Sequence, residues 1–396
     1  MDAVLKGDIV AGKEQHQLMH YLIGKLDDPH TVIDGLKINA ALRNVERHFD
    51  FELFPWEKFI FAFVAGVFYD DGSLMFDEFL VLIGRGAGKT GFMSTLEWYL
   101  TTVQGVKDYN VDIVATSEDQ AKTSFTAIHD ILESDKTKYK KFFRWNLKSI
   151  KFKKTNSIIK YRTNNASTKD GGRPGAVIFD EIHAYRDEES IKVFTSGLGK
   201  IDFPRRFYFT TDGNNRDGFL DQMKEEAKMI LSNERPKRRT FPFICKLDDA
   251  DEVDNKKMWP KANPSLSYMP TLMHEMESEY EKMQDREGAR IEFMTKRMNI
   301  PSTAANSPVA KWEDIQATKQ ETPDLRGLPC VVGIDYSDTM DFCAIGLLFK
   351  VGEKYYWKSF TLINYKAMQG RKYKAPIDVA VNRGLAKIIN DETNQP

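Results

Sequence analysis

The stretch "FLVLIGRGAGKTGFMS" (Phe79–Ser94) carries the strongest structural signal in the chain. Its apolar start predicts a buried strand, and the residues from Lys89 onward have the pattern of a helix. Between them, Gly84–Thr90 ends like a P-loop, G-x-x-x-x-G-K-[ST], although Ile83 occupies the place of the first glycine. A strand, a glycine-rich loop and a helix in this order predict a phosphate site at the N-terminus of the helix.

Each residue of this loop has an expected role. Backbone N–H groups freed by the glycines would bind phosphate oxygens, Lys89 would reach the β- and γ-phosphates, and Thr90 would bind magnesium. Arg85 fits a phosphate contact and a solvated surface position equally well. The residues predicted to bind ATP here are Gly84, Arg85, Gly86, Ala87, Gly88, Lys89 and Thr90.

The second chemical signal is "AVIFDE" (Ala176–Glu181), about 90 residues after the P-loop. Four apolar residues predict a buried strand, and two carboxylates follow at its C-terminal end. Asp180 would hold magnesium, directly or through water, and Glu181 would polarise the water that attacks the γ-phosphate. Either motif is common alone, but the two in this order predict a site that hydrolyses a nucleotide.

Strand signals alternate with helical ones over most of the chain. Apolar runs at Val111–Thr116, Ala176–Tyr185 and Arg205–Gly213 are separated by stretches with helical patterns. Such alternation is typical of right-handed βαβ units. The sequence therefore predicts an α/β domain with a mainly parallel sheet and helices on both faces. A charged stretch from about Glu225 to Asn299 is predicted to be helical, interrupted at Trp259–Leu266, where two prolines and an asparagine predict a turn.

The length of the chain predicts more than one domain. Its 396 residues and 45.6 kDa exceed what one hydrophobic core usually supports. Residues 301–328, rich in proline and small residues, are the best linker candidate. We expect N-terminal helices with a P-loop ATPase domain at residues 1–300 and a second domain at 329–396. In the second domain, three β-rich runs predict the start of an antiparallel meander.

Charge is distributed unevenly along the chain. The formal net charge of −1 gives no whole-chain argument for binding nucleic acid. The basic tract (residues 136–162) nevertheless contains eleven Lys or Arg, no Asp or Glu, and interleaved aromatic residues. Lys140, Lys141 and Lys153 could neutralise DNA phosphates while the aromatic rings stack on bases. A solvated basic face whose aromatic residues belong to the core explains the tract equally well.

Cysteine positions and hydropathy indicate the cellular compartment in which the protein is expected. Cys245, Cys330 and Cys343 are far apart, so neither a disulfide framework nor a zinc site is indicated. The N-terminus lacks the apolar core of a signal peptide, and no window offers about 18 uninterrupted apolar residues. We therefore expect a soluble protein of a reducing cytosol.

Together these motifs resemble the large terminase subunit of tailed bacteriophages, the ATP-driven motor and nuclease that packages viral DNA. "WPKANPSL" (Trp259–Leu266) and "EFMTKRMNIPS" (Glu292–Ser302) are similar to stretches that recur in this family, and the resemblance covers nearly the whole chain. It implies ATP and magnesium as cofactors and the cytoplasm of a bacterial host as location. It also implies double-stranded DNA, a phage portal or procapsid and a small terminase subunit as partners, with a ring of copies as the active form.

The resemblance assigns roles to further residues. "FPWEKFI" (Phe54–Ile60) is similar to the adenine-binding element, with Glu57 where glutamine is commoner, which implies that Trp56 and Glu57 bind adenine. The isoleucine at position 83 and the added Arg85 are typical of terminase P-loops, which implies that Arg85 faces the phosphates and acts in catalysis. "TTDG" is similar to the motif that couples hydrolysis to movement, which implies a coupling segment formed by Thr210, Thr211, Asp212 and Gly213.

A second enzymatic site is implied near the C-terminus. "GIDYSDTMDFCAIGLL" (Gly333–Leu348) is similar to the first strands of the family's ribonuclease H-like nuclease, which makes Asp335 the first catalytic acid, a ligand for Mg²⁺ or Mn²⁺. A divalent cation is a good partner for an acid within an apolar strand. The family's other acids come from later strands, so we expect an incomplete nuclease domain and no DNA cleavage here. Asp338 and Asp341 are expected to be exposed turn residues.

Two other functions fit parts of the sequence. "DEIH" (Asp180–His183) resembles the DExH box of helicases, but a helicase needs a second RecA-like domain where this chain has β-rich runs. A nucleotide-gated scaffold without catalysis would not need both Lys89 and Glu181. ATP-driven DNA translocation is therefore the predicted function. Candidates for an arginine that acts on a neighbouring subunit are Arg144, Arg162 and Arg173.

Overall fold

The computed structural model of the protein divides the chain into two units, Met1–Asn306 and Ser307–Pro396. The described residues are 1–163, 173–185, 187–235, 237–301, 312–319, 321–336, 342–365 and 377–389. The positions of Asp338 and Asp341 lie outside them. None of the described helices is long and apolar enough to cross a membrane.

Helices of the first unit flank a central sheet. In chain order they are α1 (Asp2–Leu5), α2 (Lys13–Leu26), α3 (Gly35–His48), α4 (Pro55–Gly66), α5 (Lys89–Trp98), α6 (Glu118–Ser134), α7 (Lys136–Tyr139), α8 (Glu189–Thr195), α9 (Phe219–Leu231), α10 (Pro270–Asp285) and α11 (Glu287–Glu292). Short 3₁₀ or π turns cover Tyr99–Val103, Ile182–Ala184, Ala250–Asp254, Lys256–Lys261, Leu266–Tyr268 and Phe293–Arg297. Local capping starts α6, where the Ser117 hydroxyl accepts a hydrogen bond from the Gln120 N–H at 3.3 Å.

Strands of the first unit form a small ribbon and the central sheet. They are β1 (Thr31–Ile33), β2 (Val67–Tyr69), β3 (Glu78–Leu82), β4 (Asn110–Ala115), β5 (Phe143–Asn146), β6 (Ser149–Phe152), β7 (Ile158–Thr163), β8 (Pro174–Asp180), β9 (Arg205–Thr210) and β10 (Thr240–Ile244). The central sheet has the order β10-β3-β9-β8-β4-β7-β6-β5. From β10 to β7 the neighbouring strands are parallel, and β5 and β6 are added antiparallel. The predicted mainly parallel α/β sheet is confirmed.

Alternate residues of the buried strands contribute to two hydrophobic layers. In β8, Ala176 and Ile178 pack in the layer that contains α4, α5 and α6, whereas Val177 and Phe179 pack in the layer that contains α8 and α9. Side chains alternate with a period of two along a strand, so an uninterrupted apolar run supplies both layers. The sheet is thus covered by helices on both faces.

The strand order determines which loops become neighbours. β9 lies between β3, which precedes the P-loop, and β8, which ends in Asp180. Leu82 is in register with Thr210, and Asp180 is in register with Phe209. The three strands are parallel, so their carboxyl ends lie on the same side of the sheet. The P-loop, the coupling segment and the carboxylate pair follow these ends and are therefore neighbours.

The predicted helical stretch from about Glu225 to Asn299 is wrong in part. It contains β10, which lies at an edge of the central sheet and pairs with β3 alone. Pro242 lies in the middle of β10 and weakens any strand signal in the sequence, because proline has no N–H to donate. An edge strand needs hydrogen bonds on one side only, which makes this proline acceptable.

The second unit contains α12 (Trp312–Ala317), α13 (Ile377–Asn382) and the strands β11 (Cys330–Asp335), β12 (Cys343–Val351), β13 (Lys354–Asn364) and β14 (Ala386–Ile389). β11, β12 and β13 are antiparallel neighbours, as the sequence predicts, and β14 pairs parallel to β13. Within the described residues β11 is an edge strand, and all six of its residues are exposed.

Burial gives Glu97 of α5 an unusual protonation equilibrium. Its side chain is fully buried, and this burial raises its pKa from 4.5 to about 8. Between these values the unfolded chain releases the proton and the folded protein keeps it, so stability falls as pH rises, by up to about 1.4 kcal/mol per pH unit. Glu97→Gln does not ionise, and we expect its stability to increase relative to wild type from about pH 5 to about pH 8.

Urea unfolding of both proteins at these two pH values measures the difference. Glu225→Gln makes the same chemical change at an exposed position of α9 and should follow wild type at both. A Glu97→Gln difference that stays constant with pH would show that the carboxyl does not keep its proton in the folded protein.

Candidate active site

The P-loop follows β3 directly and ends in the first turn of α5. Gly86 and Gly88 have φ angles of +88° and +102°, in the left-handed region that favours glycine. Gly88 is the N-cap residue of α5, and Lys89 is the first residue of this helix. The Lys89 side chain is buried, and its Nζ lies 3.5 Å from the Ile83 carbonyl oxygen. The lysine therefore folds back over the start of its own loop.

A segment distant in sequence holds the P-loop in place. The Ala262 carbonyl accepts a hydrogen bond from the Gly84 N–H at 2.9 Å, and the Ser265 hydroxyl donates to the Ala87 carbonyl at 2.7 Å. Both residues belong to the stretch "WPKANPSL". Its contact with the P-loop backbone gives this stretch a physical role that its sequence alone does not show.

A second segment, Phe293–Arg297, holds the loop at Arg85. The Lys296 carbonyl accepts from the Arg85 N–H, and Arg297 Nη1 donates to the Arg85 carbonyl, both at 2.8 Å. Arg297 also forms two hydrogen bonds with the Glu279 carboxylate, at 2.8 and 2.7 Å. A buried guanidinium with three bonds to fixed partners defines the loop position closely.

The carboxylate pair lies beside the P-loop lysine. Asp180 ends β8, and Glu181 has φ and ψ of 52° and 53°, so the chain turns sharply after the strand. Lys89 Nζ and Glu181 Oε1 are 3.9 Å apart. The structure thus brings together the two motifs that predict nucleotide hydrolysis.

Asp180 and Glu181 are neighbours, but their environments move their pKa values in opposite directions. Burial, reinforced by the charge of Glu181, raises the pKa of Asp180 to about 7. Burial also disfavours ionised Glu181, but a hydrogen bond with His183 and the charge of Lys89 outweigh it and lower the Glu181 pKa to about 2. Glu181 is therefore a carboxylate at neutral pH, and Asp180 would gain most from a bound cation.

Oxygen donors beside the P-loop suit a magnesium ion. Thr90 is the second residue of α5, and Asp180 is the last residue of β8. Hydroxyl, carboxylate and phosphate oxygens are the ligands that magnesium prefers. A cation at Asp180 would take the place of the proton that burial favours, so these two residues fit the ion.

The coupling segment, Thr210–Gly213, contacts Glu181 of the carboxylate pair directly. The Thr211 N–H donates to Glu181 Oε2 at 3.3 Å. Asp212 is almost fully buried, and its carboxylate pairs with Arg216 at 2.8 Å and Lys224 at 2.9 Å. These ion pairs hold the segment in one conformation next to Glu181.

Arg85 has a different partner from the predicted phosphates. Its Nη1 lies 2.8 Å from Glu292 Oε1, and about half of the Arg85 side chain is exposed. Exposed ion pairs of this kind contribute little to stability, about 0–1 kcal/mol. The contact does not fix the side chain, and its role at the phosphates stays a prediction.

Trp56 and Glu57 have structural contacts. Trp56 is buried, its Nε1 donates to the Ser265 hydroxyl at 2.8 Å, and its ring stacks on Phe243. Glu57 is buried, accepts a hydrogen bond from the Phe54 N–H at 2.7 Å, and has a pKa raised by burial to about 8. Both side chains are engaged in the fold near the P-loop, and adenine binding by them stays a prediction.

Two further aromatic residues, to which the sequence prediction gave no role, pack against each other beside the loop. The rings of Phe54 and Tyr268 are 5.7 Å apart, and about half of Tyr268 is exposed. A Cβ placed on Gly88 would lie 3.5 Å from the Phe54 ring. Phe54 begins the stretch "FPWEKFI", in which only Trp56 and Glu57 received a role, and Tyr268 had no sequence signal.

The basic tract forms α7 and the antiparallel strands at the edge of the central sheet. Tyr139 and Phe143 are buried in the core, so these rings are unavailable for stacking on bases. Lys140, Lys141 and Lys153 are exposed. The candidate arginines differ in setting: Arg144 on β5 and Arg173 before β8 are exposed, whereas Arg162 pairs with Asp112 at 3.1 Å.

Asp335 is the last residue of β11 and is exposed. It lies in register with Ala344 of β12. Within the described ranges there is no group of three or more His, Cys, Asp or Glu side chains arranged to hold a metal ion.

The fold and site of the first unit define a P-loop nucleoside triphosphatase domain, with the phosphate-binding loop and the acidic pair two strands apart. Family models give the particular family: "Terminase large subunit, ATPase domain" matches residues 55–229, and "Terminase large subunit, endonuclease domain" matches residues 237–390. The chain belongs to the terminase large subunit family. The second match starts within the first unit and gives no support to the expected incompleteness of the nuclease domain.

Individual matches include a phage terminase among the relatives and another among the solved structures. The terminase large subunit of Lactococcus phage p2 is 25% identical over 323 residues, which are 78% of this chain and 58% of the relative. Protein YmfN of Escherichia coli K12 is 22% identical over 185 residues, 46% of this chain and 40% of the relative. The HK97 bacteriophage large terminase crystal structure shares the fold, with a TM-score of 0.58 and 19% identity over 89% of this chain and 74% of that one. The match thus spans about three fifths of the phage p2 relative.

Proposed function

We propose that this chain hydrolyses ATP with magnesium and uses the energy to move double-stranded DNA into a phage procapsid. The observation that carries the ATPase proposal is that Lys89, Asp180 and Glu181 lie together beside the P-loop, at the carboxyl ends of the parallel strands. A P-loop lysine and a carboxylate pair on strands two places apart form the catalytic core that nucleotide hydrolysis needs.

Each residue has one task in this reaction. The loop N–H groups and Lys89 bind the β- and γ-phosphates, and Glu181, ionised at neutral pH, orients the attacking water. Thr90 and Asp180 would hold the magnesium ion, which would neutralise charge on the phosphates. Arg85 adds positive charge at the transferred phosphate after it releases Glu292.

Phosphate release from ATP, measured with and without magnesium, tests the ATPase proposal. Turnover that requires magnesium supports it. Tight ATP binding without turnover, also after DNA is added, would favour a nucleotide-gated scaffold instead.

DNA and packaging partners form the second part of the proposal. The relatives named above include a phage terminase, and the basic tract offers exposed lysines at an edge of the sheet. We propose double-stranded DNA as the substrate that moves, and the portal, the small terminase subunit and further copies of this chain as partners in the host cytoplasm. A metal-dependent endonuclease activity rests on the family match at 237–390 and on Asp335.

Sequence-independent DNA binding should depend on the basic tract. Lys140→Glu, Lys141→Glu and Lys153→Glu together should weaken duplex binding and lower the slope of log affinity against log salt by about 0.9 for each DNA phosphate that the protein no longer neutralises. Electrophoretic mobility shifts over a range of salt concentrations measure both quantities. Tyr139 and Phe143 are buried, whereas Phe142 is exposed, so we expect the contacts to be mainly with phosphates, with Phe142 as a ring that can stack on a base.

A control with the same change in net charge separates local from global effects. Lys6→Glu, Lys228→Glu and Lys257→Glu replace exposed lysines outside the basic tract and should leave the salt slope unchanged. Equal weakening by the two triple variants would mean that the tract is only a solvated face.

A further inference from the structure

His183 joins the catalytic carboxylate to two other parts of the site. Its Nδ1 lies 3.0 Å from Glu181 Oε2, and its Nε2 lies 2.7 Å from Lys296 Nζ. We propose that His183 and Lys296 are positioning residues, which fix the orientation of the Glu181 carboxylate through this chain of contacts. The inference rests on the ATPase activity proposed for the same site.

The neighbours of His183 define its tautomer. The Lys296 ammonium can only donate, so the ring nitrogen that faces it, Nε2, must accept. The ring proton then belongs to Nδ1, which lies 3.0 Å from Glu181 Oε2 and 3.1 Å from the Thr210 hydroxyl. A neutral His183 with this tautomer donates to the carboxylate and accepts from the ammonium, which satisfies both neighbours.

The two carboxylate oxygens of Glu181 have different neighbours. Oε2 accepts from His183 and from the Thr211 N–H at 3.3 Å. Oε1 is the oxygen 3.9 Å from Lys89 Nζ, on the side of the P-loop. Anchoring one oxygen sets the direction of the other, and misplacing a reacting group by about 1 Å can cost about a hundredfold in rate.

Lys296 connects this chain of contacts to the rest of the site. Its Nζ donates to the Asp212 carbonyl at 3.0 Å, and its backbone carbonyl accepts from the Arg85 N–H at 2.8 Å. One residue therefore contacts the P-loop, the coupling segment and His183. A movement of the Phe293–Arg297 turn would reach Glu181 through His183, without any contact between Lys296 and the carboxylate.

The packing of His183 leaves it little freedom. A Cβ placed on Gly213 would lie 2.7 Å from the Cβ of His183, so only glycine fits opposite the histidine at this point of the coupling segment. The His183 side chain is about one-fifth exposed. Gly213→Ala should therefore displace His183 and reproduce the effect of removing its side chain.

Steady-state ATPase kinetics test the proposal. His183→Ala and Lys296→Met should lower kcat by about 10- to 100-fold with KM and ATP binding nearly unchanged, because the carboxylate loses orientation and the phosphate site does not. His183→Asn should recover most of the activity, since its amide can donate from the position of Nδ1. His30→Ala, which removes an exposed histidine paired with Asp70 at 2.7 Å, is the matched control and should retain wild-type kcat.

Three results would overturn the proposal. They are wild-type kcat in His183→Ala, no recovery in His183→Asn, or a further loss when His183→Ala is added to Glu181→Gln. The last comparison separates positioning from folding, because a positioning residue has no further effect once the positioned carboxylate is gone. Should His183→Ala fail to fold, Lys296→Met and His183→Asn decide the question.

A measurement without turnover keeps this inference distinct from the proposed function. In a ¹⁵N-histidine-labelled protein, the NMR shifts of His183 should show the Nδ1–H tautomer, and Lys296→Met should remove that preference. An Nε2–H tautomer in the wild type would refute the positioning proposal even if ATP is hydrolysed. A chain that shows the Nδ1–H tautomer but never hydrolyses ATP would refute the proposed function and leave the His183 contacts intact.

Discussion

Glu181→Gln should lower ATP turnover by about 10²–10⁴-fold, to a level that is still measurable, and preserve ATP binding. The amide keeps the shape of the side chain but removes the negative charge that orients the attacking water, and general-base groups contribute about 10²–10⁴-fold to rate. Lys89→Ala removes a charge that faces the phosphates, so it should lower ATP affinity as well as turnover. Phosphate release and the affinity of a fluorescent ATP analogue measure the two effects separately.

The matched control is Glu188→Gln. Glu188 is exposed and pairs with Lys192 at 3.0 Å, and the same substitution there should leave turnover unchanged. Turnover near the wild-type level in Glu181→Gln would remove Glu181 from the mechanism. Loss of ATP binding in Glu181→Gln would instead indicate a damaged fold.

The opposite pKa shifts of Asp180 and Glu181 support the role of Glu181 in orienting the attacking water. Adjacent acids in one site usually raise each other's pKa, but here Asp180 has a pKa of about 7 and Glu181 of about 2. His183 and Lys89 account for the low value of Glu181, since both favour its charged form. When Lys89 contacts a phosphate, it shares its charge with the nucleotide, so the Glu181 pKa should rise and the carboxylate should become a better proton acceptor.

Local patterns in the sequence predicted the elements that carry the chemistry. A buried strand, a Gly-Lys-Thr loop and a helix are encoded within sixteen consecutive residues, Phe79–Ser94, and the fold follows them. The strand before Asp180 is equally clear, because four apolar residues precede two acids. Signals of this kind depend on neighbours in sequence, and the structure confirms them as secondary structure.

Contacts between residues that are distant in sequence could not be predicted from sequence patterns. His183 and Lys296 are 113 positions apart, and Ser265 is 178 positions from Ala87. Nothing in the periodicity of either segment indicates these partners. β10 was missed for a different reason, because Pro242 weakens the strand signal and only the edge position makes it acceptable.

Trp56 and Glu57 both use polar atoms for contacts within the fold. A family motif gives the place of a residue in the chain, but burial and hydrogen bonds decide which of its atoms remain available. The Trp56 Nε1 is used by Ser265, and Glu57 caps the start of α4 at Phe54. Both contacts end near the P-loop, so substitution of either residue would affect nucleotide binding even without direct contact with adenine.

Gly84→Ala should disrupt ATP binding through the contact between the P-loop and the Phe293–Arg297 turn. A Cβ on Gly84 would lie 2.5 Å from the Arg297 carbonyl oxygen and 3.1 Å from the Ala262 carbonyl oxygen. Both neighbours are backbone atoms, so the loop or the turn must move. We expect a loss of about 1–3 kcal/mol of stability, typical of overpacking, and at least a tenfold loss of ATP affinity.

Gly24→Ala is the matched control, with the opposite expected sign. Gly24 lies within α2, and a Cβ there would have no heavy atom within 4 Å. Alanine at this exposed helical position should stabilise the protein by about 0.5–1 kcal/mol and leave ATP affinity unchanged. Urea unfolding and titration with a fluorescent ATP analogue measure both variants. If Gly84→Ala bound ATP like wild type, the position of the P-loop would not depend on the Phe293–Arg297 turn, and contacts made by Lys296 and Arg297 could not transmit a change to the nucleotide.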